Sequence, residues 1–431
     1  MQHAERMNDM NHQGIVPTQI LLPRETISPT AWACVACDQY TSQPEYWQEV
    51  ALEVGAAPST LRLMLPECFL NQSAQRLPGI HRTMRDYLNQ GIVYPAVENG
   101  YVMVERTTQS GMRVGLVCAV DLEQYDYTPG SRSLVRPTEE TIASRLPARL
   151  DIRRGAAMEL SHILLLMDDP LQAVLEPLYA RRHTLRPLYD FPLMKNGGHL
   201  RGWAVEDETN KVQLAAALQQ LLAQQGDDPL LFAVGDGNHS LATAKAFWEQ
   251  LKPTLSPEQR AVHPARYALC EVENIHDDAL VFEPIHRVLT GVNGAEVMAD
   301  WTLYCHERGM DLSEVTGRED TEHVFRVVYD GMEAVAAVSR PEGAIPAATV
   351  QRYLDDFLLR HPGAAIDYIH GDDTLRDLAN QPGSIGFLLP PIDKDGFFSA
   401  VKALGVLPRK TFSMGHANEK RYYMECRKIT L

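Results

Sequence analysis

Apolar runs of strand length and amphipathic runs of helix length alternate along most of the chain. Strand-like runs cover residues 18–23, 32–37, 61–66, 101–104, 114–118, 163–167, 200–205, 230–234 and 265–273. Helical spacing marks 80–88, 171–182, 211–224 and 240–251. The turn Gln109-Ser110-Gly111 joins two of the strands as a hairpin, and Asp330-Gly331 does the same for 324–329 and 335–338. A helix at 350–360 and strands at 365–369 and 385–389 complete the C-terminal part. Strands alternating with helices predict an α/β fold: a mixed, mainly parallel sheet core with flanking helices and additional α+β lobes.

Breaker clusters at Tyr127-Thr128-Pro129-Gly130-Ser131 and Thr290-Gly291-Val292-Asn293-Gly294 suggest three lobes: an N-terminal α/β lobe (1–130), a central α/β lobe (131–292) and a C-terminal α+β lobe (293–431). With 431 residues, 45% hydrophobic and 22% charged, the chain has the composition of a globular protein with a sizeable core. A formal charge of -16 argues against a general nucleic-acid or anionic-membrane surface, so any phosphate site must be local. The first residues, including His3, Glu5, Arg6 and Asn8, contain no apolar signal-peptide core, and no apolar run approaches the roughly 20 residues that cross a bilayer. A cytoplasmic protein with a small-molecule ligand is expected, with a homo-oligomer left open. The seven cysteines, an odd count, are scattered along the chain and read as buried, reduced thiols; Cys34-x-x-Cys37 lacks the second pair of a zinc site and reads as core strand.

The most informative stretch is Gly235-Asp236-Gly237-Asn238-His239-Ser240, set between the apolar run 230–234 and the helical run 240–251. Glycines at 235 and 237 permit a positive φ and close backbone approach, while the first amides of the following helix favour an anion. Asp236 falls at the carboxyl end of the strand, where open α/β sheets bind ligands, with His239 one turn before Ala242 and Thr243. The plain alternative is turn chemistry, with Asn238 or Ser240 as an N-cap. No Gly-Lys-Ser/Thr follows, and Ser240 stands at the third glycine position of a dinucleotide fingerprint, so neither of those loops fits.

Five other segments carry candidate chemistry. The apolar run 32–37 enters a loop, Asp38-Gln39-Tyr40-Thr41, which suits either a cleft or a surface turn. Thr138 can N-cap a helix that Pro147 would break before Arg149, and arginines at 136, 145, 149, 153 and 154 form either an anion clamp or a solvated, ion-paired face. Ser161-His162 is a polar entry into the apolar strand 163–167. Pro284-Ile285-His286-Arg287 sets a His/Arg pair between apolar residues, for proton transfer, anion binding or, with Asp236 and His239, a metal. Lys410 lies in a basic loop near the C-terminus, followed by Lys420-Arg421.

Taken in order, Thr138-Glu139-Glu140-Thr141 with Ala148-Arg149, Ser161-His162-Ile163, the Asp236-to-Ala244 stretch, Pro284-Ile285-His286-Arg287 and Pro408-Arg409-Lys410-Thr411-Phe412 resemble the family known as domain of unknown function 1015. Its pattern has an Arg-His-Glu-x-Thr segment, a Ser-Pro-Ile strand, Asp-Gly-His-His-Arg-Tyr-Glu-Thr-Ala, Pro-x-His-Arg and Pro-x-Lys-Ser-Thr-x-Phe. Here Asn238 replaces the first His, Ser240 the Arg, Ala242 the Glu, and Thr138 the His before Glu139. The Asp-Gly-His-His-Arg string is also similar to the phosphate-contacting motif of free-serine kinases in the partition-protein and sulfiredoxin superfamily. That resemblance implies nucleotide phosphates on Gly237, Asn238 and His239, with Asp236 holding Mg²⁺ or orienting an acceptor hydroxyl. It further implies Glu139 as base, with Arg149, Arg287 and Lys410 stabilising charge.

The expectation is an enzyme for a nucleotide or phosphorylated metabolite, kinase-like or hydrolytic. Asp236, His239 and Glu139 would be catalytic, with Gly235, Gly237, Asn238, Ser240, Thr243, Arg149, His286, Arg287 and Lys410 binding the ligand. The alternatives are a non-catalytic ligand-binding or regulatory protein, and a metal-dependent hydrolase built on Asp236, His239 and His286.

Overall fold

The computed structural model describes residues 13–142, 146–314 and 322–431; Arg145 and the N-terminal residues from His3 to Asn8 lie outside the described residues. Two compact units form, one running to Val281 and including Gly415–Leu431, the other spanning Phe282–Met414. Both segments expected as separate first and second lobes, 1–130 and 131–292, contribute strands to a single sheet of the first unit.

That sheet contains β1 (Ile15–Val16), β2 (Thr18–Pro23), β3 (Val93–Thr108), β4 (Gly111–Asp121), β5 (Val135–Arg136), β6 (Met158–Leu160), β7 (Ile163–Met167), β8 (Arg186–Pro192), β9 (His199–Val205), β10 (Phe232–Asp236), β11 (Tyr267–Asn274) and, from the chain's end, β19 (Cys426–Lys428). The order is β5-β10-β7-β11-β4-β3-β2-β19-β6, with β1 on β4, β9 on β3 and β8 on β9. The α/β class and the mixed sheet match the sequence reading, but the expected parallel majority is corrected. Among the described strands of this sheet, parallel pairing is confined to β5 with β10 and β7 with β11. The β3–β4 hairpin forms as expected, and it and the β8–β9 hairpin are antiparallel because short connections force antiparallel neighbours.

Alternation along the strands sorts side chains onto two cores. Val117 and Leu269 join Trp32, Trp47 and Tyr422 on one face. Leu116, Cys118 and Cys270 join Leu165, Phe232, Val234 and Trp248 on the other. Helices α1 (Ser73–Asn89), α2 (Leu146–Arg154), α3 (Glu208–Ala223) and α4 (Asn238–Leu251) belong to this unit. α4 buries Leu241, Ala244 and Trp248, and the Trp248 indole donates to Glu123 Oε1 at 2.7 Å, so the apolar stripe and one polar anchor fix its roll.

In the second unit, β12 (Phe282–Thr290) lies between β16 (Ala365–His370) and β17 (Ser384–Leu388). β13 (Asp311–Glu314), β14 (Glu322–Tyr329) and β15 (Met332–Ser339) extend the sheet beyond β17, and β18 (Phe412–Met414) pairs with the start of β12. The Asp330-Gly331 hairpin is thus formed as expected. Trp301 stacks on Tyr353 at 4.7 Å and on Phe325 at 4.9 Å in its core. Among the described residues, no helix is long and apolar enough to cross a membrane.

Candidate functional site

The central motif is a strand, a one-residue turn and a helix. β10 pairs with β7 until the register shifts between Val234 and Asp236, so Gly235 is the extra residue of a bulge that re-aims the strand's end. Gly237 then takes φ +81°, and a side chain there would meet the His162 ring at 3.1 Å and the Ile163 Cα at 3.2 Å. Glycine is required at 237 by conformation and by space together.

The helix α4 begins at Asn238, and its N-cap is Gly237, which has no side chain to cap the first turn. The N-cap reading of Asn238 and Ser240 is therefore corrected. The Asn238 side chain instead turns to the neighbouring segment: Oδ1 accepts from the Thr138 N–H at 3.0 Å and the Glu139 N–H at 3.4 Å, and Nδ2 donates to Thr138 Oγ1 at 3.2 Å. The Thr138 hydroxyl donates to the Val234 carbonyl at 2.6 Å. With its amide and hydroxyl so engaged, Thr138 starts no helix, and Pro147 stands near the start of α2 rather than breaking a helix. Asp236 Oδ1 accepts from the Gly237 N–H at 2.9 Å, and Oδ2 lies 3.7 Å from Lys420 Nζ. The Thr243 hydroxyl donates to the His239 carbonyl at 2.6 Å.

Beside α4 lies a cavity of about 180 Å³. Ser240 and Thr243 line it from α4, Arg149 and Arg153 from α2, and His162, Cys37 and Tyr423 from loops and the chain's end. Leu63, Leu65, Leu70, Met84 and Ile152 supply an apolar wall. Arg149 is ion-paired with Glu67, which also faces the cavity. Arg153 meets Glu159 at 2.8 Å, and both line the cavity, while the other described arginines of that stretch are tied elsewhere: Arg136 is bidentate on Asp228 at 2.5 and 3.3 Å, and Arg154 meets Asp151 at 2.8 Å. The solvated-face alternative thus describes Arg154 best, and the clamp reduces to Arg149 and Arg153 at the cavity.

His286, Arg287 and Lys410 belong to the second unit. His286 Nδ1 accepts from the Leu389 N–H at 3.1 Å and Nε2 lies 3.0 Å from Asp372 Oδ1, so both ring nitrogens are occupied. Burial, then the neighbouring Asp372 pulling the other way, leaves its pKa below the ordinary histidine value. Arg287 is fully buried and donates to Gln351 Oε1 at 3.1 Å and to the carbonyls of Ile285, Lys410 at 3.0 Å and Arg409 at 3.1 Å. Its guanidinium fastens the basic loop. Among the described residues, no group of three or more His, Cys, Asp and Glu side chains could hold a metal ion, so nothing supports the Asp236, His239 and His286 metal triad.

Asp38, Cys37, His162 and Tyr423, which no local pattern joins, are drawn together at the cavity edge. His162 Nδ1 is hydrogen-bonded to the Tyr423 hydroxyl, and His162 Nε2 lies 3.6 Å from Asp38 Oδ2. The Tyr423 oxygen accepts from the Cys37 N–H at 3.0 Å, with Cys37 Sγ 3.4 Å away. Burial, aided by Asp38, pushes the Cys37 thiol up to about 12, and burial holds the Tyr423 phenol well above its ordinary value. Ser161 and His162 are held in turn by Arg421, which donates to the Ser161 carbonyl at 3.0 Å and its Oγ at 2.9 Å, and pairs with Glu425 at 2.6 Å and with Glu271. The only prior signals were the polar loop after residue 37, the polar entry at 161–162 and the Lys420-Arg421 pair.

The family model described as "Protein of unknown function (DUF1015)" matches residues 15–357. No curated protein matches. Solved structures similar to the chain include a free serine kinase in complex with AMP, at 13% identity and TM-score 0.39, covering 73% of this chain and 91% of that one. A conserved hypothetical protein from Pyrococcus furiosus is 12% identical with TM-score 0.35, covering 73% and 95%. SbnI with C-terminal truncation from Staphylococcus aureus is 9% identical with TM-score 0.34, covering 69% and 83%.

Proposed function

The chain belongs to the DUF1015 family of proteins of unknown function, and we propose that this member is an enzyme that binds a nucleotide or phosphorylated small metabolite in the cavity beside α4 and transfers or hydrolyses its phosphoryl group. One observation carries the reading: α4 begins after a left-handed glycine with no side-chain cap, next to a cavity that its own Ser240 and Thr243 line. The amides that open a helix point toward its start, where they and the positive end of the helix dipole favour an anion. The cavity then supplies what such a ligand needs besides. Arg149 and Arg153, each paired with a cavity carboxylate in Glu67 and Glu159, offer guanidinium donors, and Leu63, Leu65, Leu70, Met84 and Ile152 offer an apolar wall for a base or carbon skeleton.

Asp236 suits Mg²⁺, which is commonly held by one or two carboxylates plus substrate phosphates; when bound, the ion would neutralise charge developing on the phosphoryl oxygens. Lys420 beside Asp236 adds charge at the same place. Glu139, whose backbone is fixed to Asn238, serves as a candidate base, and His239 as a phosphate contact. The donors of Arg287 and the ring nitrogens of His286 are engaged within the second unit, so the reading does not draw on them.

A thermal-shift titration with AMP, ADP and ATP, each with and without Mg²⁺, tests this. Ligand at a hundred times its Kd stabilises the folded state by about 2.7 kcal/mol, so a rise of several degrees is expected in the unaltered protein and none in Asp236→Ala or Ser240→Phe. No rise with any nucleotide would refute the reading. A rise without phosphate release would select the non-catalytic alternative.

A further inference from the structure

We propose that Asp38, His162 and Tyr423 form a hydroxyl-binding relay at the cavity edge, in which the gap between the Asp38 carboxylate and the His162 ring receives a ligand hydroxyl or a water as the nucleophile. The inference rests on the preceding reading only in taking the cavity as the ligand site.

The Cys37 N–H donates to the Tyr423 oxygen, and the phenol's own proton has two acceptors in reach, Cys37 Sγ at 3.4 Å and His162 Nδ1. A thiol sulfur is the weaker acceptor of the two, so the relay takes Nδ1 as the acceptor and places the ring's proton on Nε2. That N–H faces Asp38 Oδ2 at 3.6 Å, within ion-pair reach but too long for a direct hydrogen bond. A hydroxyl oxygen seated to one side of the pair, about 2.8 Å from each atom, bridges them. There it accepts from His162 Nε2–H and donates to Asp38 Oδ2. Asp38 is held for that task, because Gln39 Nε2 donates to its other oxygen at 3.0 Å. His162 is held from below by the Tyr423 bond and by Arg421 on the adjoining Ser161.

The step balances. As the hydroxyl oxygen forms its bond to the phosphorus of the bound phosphoryl donor, its proton passes to Asp38, and the bond from phosphorus to the leaving oxygen breaks with the electron pair staying on the leaving group. In this step Asp38, in place of Glu139, is the base and so a catalytic residue, and Tyr423 is a positioning residue that acts through His162. Placed general-base catalysis is worth about 10²–10⁴ in rate.

The test uses the full chain labelled with ¹⁵N-histidine, with glycerol up to about 1 M as the hydroxyl probe. The expected spectrum shows His162 as the Nε2–H tautomer, assigned by its loss in H162N, with ring signals that glycerol shifts in the unaltered protein and leaves in place in D38N. Tyr423→Phe should mix the tautomers without unfolding the chain. An Nδ1–H tautomer, or His162 signals that glycerol leaves unmoved, overturns the relay. Where phosphate release from ATP is detectable, D38N should slow it at least a hundredfold while the nucleotide-induced thermal shift persists; undiminished release in D38N also overturns the relay. An unaltered protein without any nucleotide shift refutes the preceding proposal instead, and the histidine signals still decide this one.

Discussion

Asn238 and Thr138, a hundred residues apart, hold each other by two hydrogen bonds, from the Thr138 N–H to Asn238 Oδ1 at 3.0 Å and from Asn238 Nδ2 to Thr138 Oγ1 at 3.2 Å. These are two of the positions at which the chain departs from the family pattern, which carries histidine at both. The two departures meet in space as one hydrogen-bonded pair. The joint ties the segment bearing Glu139 to the first turn of α4.

The pair should therefore behave as a unit. T138H or N238H alone is expected to cost ~1–3 kcal/mol, because Thr138 is 1% exposed and the remaining partner keeps unsatisfied polar atoms. The double substitution should cost less than the sum, with a coupling of ~0.5–3 kcal/mol in urea unfolding. Strictly additive costs would mean that the two positions do not share a joint.

Gly237→Ala should destabilise the protein by ~1–2 kcal/mol from the left-handed backbone alone. The methyl would also press on the His162 ring, so the His162 ¹⁵N signals should move more than those of any other histidine. Retained stability with an unshifted His162 would contradict the packing described.

How far the site could be read in advance follows from which contacts are local. The strand-turn-helix around Gly237 was legible because apolar runs, two glycines and a helical period lie side by side within twenty residues. The observed strand and helix each differ from expectation by about two residues, since Gly237 rather than Ser240 marks the helix start. The Gln109-to-Gly111 hairpin was legible for the same reason. The parallel majority was misjudged because pairing partners are chosen over long range: β19 comes from the chain's last residues to lie between β2 and β6. Tyr423 and Arg421 arrive at His162 by that same return of the chain, which no local pattern announces. The helix expected after Thr138 failed because a hydroxyl that can cap a helix can equally bond a neighbouring strand.

Arg421 is buried with Glu271 and Glu425 and anchors Ser161. Arg421→Met leaves buried carboxylates without their partner and is expected to cost ~3–5 kcal/mol. Chemical denaturation would measure it. A loss under about 1 kcal/mol would mean that the ion cluster does not hold the strand entry bearing His162.

Glu419 predicts a pH dependence. Burial alone would raise its pKa, but the N–H groups of His416 at 3.1 Å and Ser110 at 2.8 Å and the Ser110 hydroxyl at 3.0 Å favour the anion and hold it at about 2. A depressed folded-state pKa gives stability that is present above the unfolded value of about 4.3 and is lost as pH falls toward about 2. Glu419→Gln should be less stable than the unaltered protein by about 2 kcal/mol near pH 7, as expected for hydrogen bonds to a charged group. The difference should shrink as the pH is lowered from 5 toward 2, and a difference independent of pH would refute the assignment.

The most direct measurement is an electron-density map of the full chain crystallised with ADP and Mg²⁺. The account predicts phosphate oxygens against the backbone amides that open α4, with the rest of the nucleotide in the cavity lined by Ser240, Thr243 and Arg149. A cavity that stays without nucleotide density while ADP binds elsewhere on the chain would contradict it.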